Sequence, residues 1–106
     1  MGEPTIWKYQ LQAPENMAES LEVPASSRAL SVIEQYGQTV LYVYVPDKQR
    51  SRKEQMVIFT ATTGGTPPDI DLGWRFLGTT AHHTGQYILH HFVRNAGAKS
   101  EEAEHG

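Results

Sequence analysis

The run Val40-Leu41-Tyr42-Val43-Tyr44-Val45 constrains the fold more than any other feature of the chain. Its residues are all apolar or aromatic and rich in β-branched types, which favour extended backbone. No polar face is left to give to water. Residues 39 to 45 are therefore expected to form a strand covered on both sides, either central in a sheet or in an interface between copies. Pro46-Asp47 ends it.

The flanking sequence reads as more strands. No stretch holds an apolar 3.6-residue period over three turns, and there is no internal repeat. Residues 5 to 11 set Ile6, Lys8 and Gln10 opposite Trp7, Tyr9 and Leu11. Residues 28 to 35 set Leu30 and Val32 opposite Ser31 and Ile33, and Gly37 suits the turn that follows because it accepts positive φ. Residues 54 to 63 set Met56, Ile58 and Thr60 opposite Val57, Phe59 and Ala61. The last two strands are expected at 73 to 80 and 86 to 94, joined around His82-His83-Thr84-Gly85. Residues 17 to 20 suggest at most one helical turn, and 20 to 23 a short strand before Pro24. The expectation is an all-β chain: one small antiparallel β-sandwich or barrel of six to seven strands. Its domain covers residues 1 to 94. Residues 95 to 106 lack Val, Ile, Leu, Met and aromatics and carry Glu101, Glu102 and Glu104, so a disordered acidic tail is expected there.

Composition narrows the function classes. A chain of 106 residues holds one domain and is too short for a TIM barrel or a full two-halved Rossmann fold. It has no cysteine, which removes disulfides, thiolate zinc sites, iron–sulfur clusters and a cysteine nucleophile. Nine Lys plus Arg against twelve Asp plus Glu give a net charge of −3, which argues against a nucleic-acid-coating protein. No apolar run is long enough to cross a membrane, and the N-terminus lacks the basic and apolar regions of a signal peptide. A cytoplasmic protein with no membrane partner is expected.

Four groups of residues are candidates for chemistry. Lys48, Arg50, Arg52 and Lys53 read as the tip of a hairpin joining the strands at 39 to 45 and 54 to 63. Arginine there suits an anion; the alternative is a solvated end that blocks edge pairing. Thr62-Thr63-Gly64-Gly65-Thr66 offers hydroxyls and closely spaced amides that suit a phosphate, or else serves as a plain connection. It lacks the Lys-Ser/Thr ending of a P-loop, and no helix is expected after it. Trp74 and Arg75 together suit a base and its phosphate; the alternative for Trp74 is a cap on the core. His82, His83, His90 and His91 resemble metal ligands, but neighbours in a strand point to opposite faces. The expected hairpin also separates the two pairs by on the order of 20 Å at about 3.3 Å per residue. One of His90 and His91 is expected to pack inside and bond across the sheet. No serine hydrolase or zinc protease motif is present, and no cofactor or metal site is expected.

Four strings taken together carry a resemblance: Thr5-Ile6-Trp7-Lys8-Tyr9, Leu30-Ser31-Val32 with Gly37 and Leu41 following, Phe76-Leu77-Gly78-Thr79, and Gly85 through His90 to Phe92. They resemble a family of small, functionally unassigned proteins of bacteriophages and bacterial genomes, over residues 5 to 93. The family's Gly-Thr-Gly-His-Pro type of turn reads Thr63-Gly64-Gly65-Thr66-Pro67 here, so no histidine role carries over. The resemblance implies a small phage protein that acts by binding, by analogy a homo-oligomeric anti-defence sponge for a nucleotide immune signal. In that reading Arg50, Arg52, Arg75 and the Gly64-Gly65-Thr66 backbone meet phosphates, and Trp74 or Trp7 meets the base. The alternatives are a protein–protein inhibitor or adaptor acting on a host factor, and a small histidine-dependent hydrolase or isomerase.

Overall fold

A computed structural model describes residues 2–12, 15–49, 52–82 and 84–98. Among the described residues seven strands form two antiparallel sheets. They are β1 (Thr5–Gln10), β2 (Met17–Pro24), β3 (Arg28–Gln35), β4 (Gln38–Val45), β5 (Lys53–Thr62), β6 (Arg75–Ala81) and β7 (Ile88–Ala98). The three-stranded sheet runs β1-β4-β3 and the four-stranded sheet β2-β5-β7-β6. The sheets are not closed into a barrel, so the architecture is a β-sandwich.

Alternation sorts the side chains between core and outside. Leu41, Val43 and Val45 of β4 are buried with Val23, Met56, Ile58 and Val93 in one cluster. Trp7 and Tyr9 of β1 and Leu11 just after it pack against the cluster, as their spacing predicts. β4 is central, between β1 and β3, but only its inner side is fully closed: on the outside Val40 is buried while Tyr44 is exposed. In β3 a register shift between Ala29 and Ser31 breaks the expected alternation. Ala29 and Val32 then face the core, and Leu30 is left exposed.

Three expectations about the strands need correction. The segment after β4 is not a hairpin. Both edges of β4 are taken, by β1 and by β3 through the tight turn at Tyr36-Gly37, so β5 must pair in the other sheet, with β2 and β7. Lys48 and Arg52 therefore lie on a crossing between sheets; Arg50 falls outside the described residues. Residues 17 to 20 are not helical but open β2, in register from Met17 opposite Thr60 to Pro24 opposite Lys53. β7 passes Arg94 and pairs as far as Ala98 opposite Glu54, so the folded part extends beyond the expected boundary at 94. Residues 99 to 106, the rest of the expected tail, lie outside the described residues.

Candidate functional site

The outer face of the four-stranded sheet carries an aromatic row. Phe59 of β5 stands opposite Phe92 of β7, which stands opposite Phe76 of β6. Phe76 and Phe92 meet edge to face, with centroids 5.6 Å apart. Trp74, just before β6, meets Phe59 edge to face at 6.3 Å. The Arg94 guanidinium carbon lies 4.9 Å from the Trp74 ring centre. Arg94 Nη1 also donates to the Leu72 carbonyl at 3.4 Å. Tryptophan's negative ring face and the cation thus hold each other in place.

The connection from β5 to β6 folds over this face. It includes a single 3-10 turn, Ile70–Leu72, where no helix was expected; Asp69 Oδ1 caps it by accepting from the Asp71 N–H at 2.9 Å. Gly73 ends the turn with φ 90°, and a Cβ there would sit 3.5 Å from Arg94 Cδ. Glycine serves the left-handed backbone here; the approach of Arg94 alone would leave room for a Cβ. Between this connection and the sheet lies a cleft of about 270 Å³, floored by Ala61, His90 and Phe92 and walled by Gly64, Gly65 and Pro67. His90 Nε2 and Thr63 Oγ1, 2.7 Å apart, tie the wall to the floor.

The sequence-derived site divides into separate places. Gly64, Gly65 and Trp74 belong to this one face, and Thr66 lies exposed in the same loop. The loop is not an open cradle of amides, because Gly65 N–H donates to the Thr62 carbonyl at 2.9 Å and Thr63 N–H to the Ile88 carbonyl at 3.4 Å. Arg75 pairs in register with Val93, whose side chain is in the core, whereas Phe76 pairs with Phe92 outside. Arg75 and the aromatic row are therefore on opposite sides of β6, and Arg94 takes the partnership with Trp74 that Arg75 was expected to have. Arg52 precedes the far end of β5, and the ten residues of that strand separate it from the glycine loop by roughly 30 Å. Trp7 faces the core.

The histidines also divide. His91 is fully buried. Its Nδ1 lies 2.9 Å from Thr60 Oγ1 and its Nε2 2.8 Å from Thr80 Oγ1. A neutral ring offers one donor and one acceptor, and two hydroxyls on β5 and β6 satisfy both. Burial, and to a smaller degree His90, push its pKa down to about 4. This is the inward histidine that the strand pattern anticipates, and His90 is its outward neighbour. The expected separation of the pairs is too large: His82 and His91 both line one cavity of about 180 Å³ at the open end between the sheets. β6 and β7 pair up to Ala81 opposite Ile88, which brings the loop closer to His91 than the expected register did. His82 also stacks on Tyr87 with centroids 4.3 Å apart. His83 lies outside the described residues. Among the described residues no three His, Asp or Glu side chains converge as metal ligands do, and no helix is long and apolar enough to cross a membrane.

The fold and the site define a β-sandwich with a one-sided aromatic cleft on its larger sheet. The chain belongs to a domain family of unknown function, DUF7352, whose pattern it matches over residues 3–102. No curated protein matches the chain, and no solved structure does.

Proposed function

We propose that this chain is a non-catalytic binding protein whose ligand is a nucleotide-type molecule, taken on the outer face of the four-stranded sheet. The observation that carries this reading is the Arg94–Trp74 pair, continuous through Phe59 and Phe92 with the Gly64–Gly65 cleft. An aromatic surface with a fixed cation suits a planar ring bearing an anionic group. At about 270 Å³ the cleft is below the roughly 300–1,000 Å³ of pockets that enclose a whole small molecule. It suits one ring system, with the rest of the ligand lying along the open face. Sequestering a nucleotide signal is the biological form of this reading that the phage resemblance implies.

A protein–protein inhibitor or adaptor is the second reading. It is favoured by Ile70, Leu72 and Phe76, which are 63%, 64% and 55% exposed. Apolar side chains so exposed in one region suit a protein surface.

Calorimetric titration of the full chain with ADP-ribose, cyclic dinucleotides and mononucleotides separates the two. A saturating heat for one of them, lost in Trp74→Ala with the fold intact, is expected. Flat traces across the panel with folded protein overturn the nucleotide reading. A single stoichiometric protein partner undisturbed by nucleotide then supports the second.

A further inference from the structure

The cleft is closed on one side only. The sheet floors it and the glycine loop walls it, so a ring resting on Phe92 would have its other face in water. Beside it the 3-10 turn and the start of β6 present Ile70, Leu72 and Phe76, each more than half exposed. Burying such side chains stabilises an interface by the same apolar transfer that stabilises a core. In a sandwich of seven strands, two outer sheet faces are available for this.

Electrostatics distinguishes the two faces. On the outside of the three-stranded sheet, Lys8 stands opposite Tyr42, and Arg28 stands opposite Tyr44, which is itself opposite Ile6. The charges on this face are both positive. A two-fold axis through it would set cations of one copy against cations of the other. The four-stranded sheet is different. The exposed Asp69 caps, and the exposed Asp71 lies within, the same turn whose Leu72 carbonyl receives Arg94. A two-fold interface brings each patch onto its own copy, so residue i meets j and j meets i. Only a patch with both signs satisfies that rule with attractive pairs.

We propose that a second copy of this chain packs on the outer face of the four-stranded sheet across a two-fold axis and closes the open side of the cleft. The dimer contact stands on the exposed residues and charges alone. The closing of the cleft rests on the reading of that cleft as the ligand site. The outer face of the three-stranded sheet, with Lys8 and Arg28, stays free in this arrangement.

The test is sedimentation equilibrium on the full chain, with Leu72→Asp and Phe76→Asp on the proposed interface and Tyr44→Asp on the other face. Circular dichroism checks that each variant is folded. The expected result is a dimer for the parent and for Tyr44→Asp, and folded monomers for Leu72→Asp and Phe76→Asp. A monomeric parent at high micromolar concentration overturns the proposal, and so does a dimer that only Tyr44→Asp dissociates. Titration with the same nucleotides separates the ligand question. If one of them binds the parent, Leu72→Asp is expected to bind it at least tenfold more weakly. Equal binding by the Leu72→Asp monomer shows a cleft complete in one chain and overturns the closing of the cleft. A dimer that binds none of the nucleotides overturns the ligand reading and leaves the dimer contact supported.

Discussion

The Arg94 guanidinium carbon sits 4.9 Å from the centre of the Trp74 ring, and the same side chain donates to the Leu72 carbonyl at 3.4 Å. One residue of β7 thereby fixes the turn, the tryptophan and the charge on the outer face. Arg94→Met keeps the apolar stem and removes the cation. It is expected to lower stability by about 0.5–1 kcal/mol, the scale of one half-buried cation–aromatic contact. Nucleotide binding is expected to weaken tenfold or more, because a charged hydrogen bond contributes roughly 1.5–3 kcal/mol. Urea unfolding and calorimetry measure the two effects separately.

His91 makes stability depend on pH. Burial pushes its folded pKa down to about 4, against the 6.5 of an ordinary histidine. Between those values the unfolded chain binds a proton there that the folded chain refuses, so stability rises with pH through this window. It is fully present above about pH 6.5 and is lost as pH falls toward 4, by on the order of 3 kcal/mol from this group. Urea midpoints across that range, compared between the parent and His91→Leu, isolate the contribution; the slope is expected to be shallower in the variant.

Removing the ring has a second consequence. His91→Ala leaves a cavity and strands the Thr60 and Thr80 hydroxyls that now bond the ring. A loss of about 2–4 kcal/mol at neutral pH is expected. His90→Ala gives up only the exposed contact to Thr63, and a loss of about 1 kcal/mol or less is expected there. Equal losses in thermal or urea unfolding would contradict the assignment of inner and outer histidine.

Tyr36 is strained. It and Gly37 form the two-residue turn between β3 and β4, with φ of 53° and 80°, and Tyr36 is 95% exposed. Such turns favour Asn-Gly, and a bulky residue at positive φ carries a cost that no contact of an exposed ring offsets. Tyr36→Asn is expected to raise stability by about 0.5–1 kcal/mol, read from the urea midpoint.

Local pattern revealed some of these features and concealed others. The alternation of Trp7, Tyr9 and Leu11 with polar neighbours placed β1 and its inner face, and the apolar run placed β4 at the centre of its sheet. The two-residue turn at Gly37 was equally readable. Sheet membership was not. Nothing between Val45 and Lys53 records that β4 already has two neighbours, because that fact lies in the distant pairing of Thr5 with Val45. Of β2 only residues 20 to 23 were readable as a strand: Met17, Glu19 and Leu21 face inward on an edge strand where burial is partial, so the glutamate among them weakens the period over the first half. Of the site, the glycine loop and Trp74 were visible as unusual residues. Arg94 was not, since one arginine in an alternating strand reads as a solvent-facing position. Only the register of β5, β6 and β7 brings it beside Trp74.

Backbone amide NMR of the full chain, titrated with ADP-ribose and with cyclic dinucleotides, tests the binding face most directly. Saturable shifts are expected at Gly64, Gly65, Phe92 and Arg94 for at least one of these ligands, with the Trp74 indole shifting in step. Shifts centred on Lys48, Arg52 and Lys53, or none with any of the ligands, would contradict it.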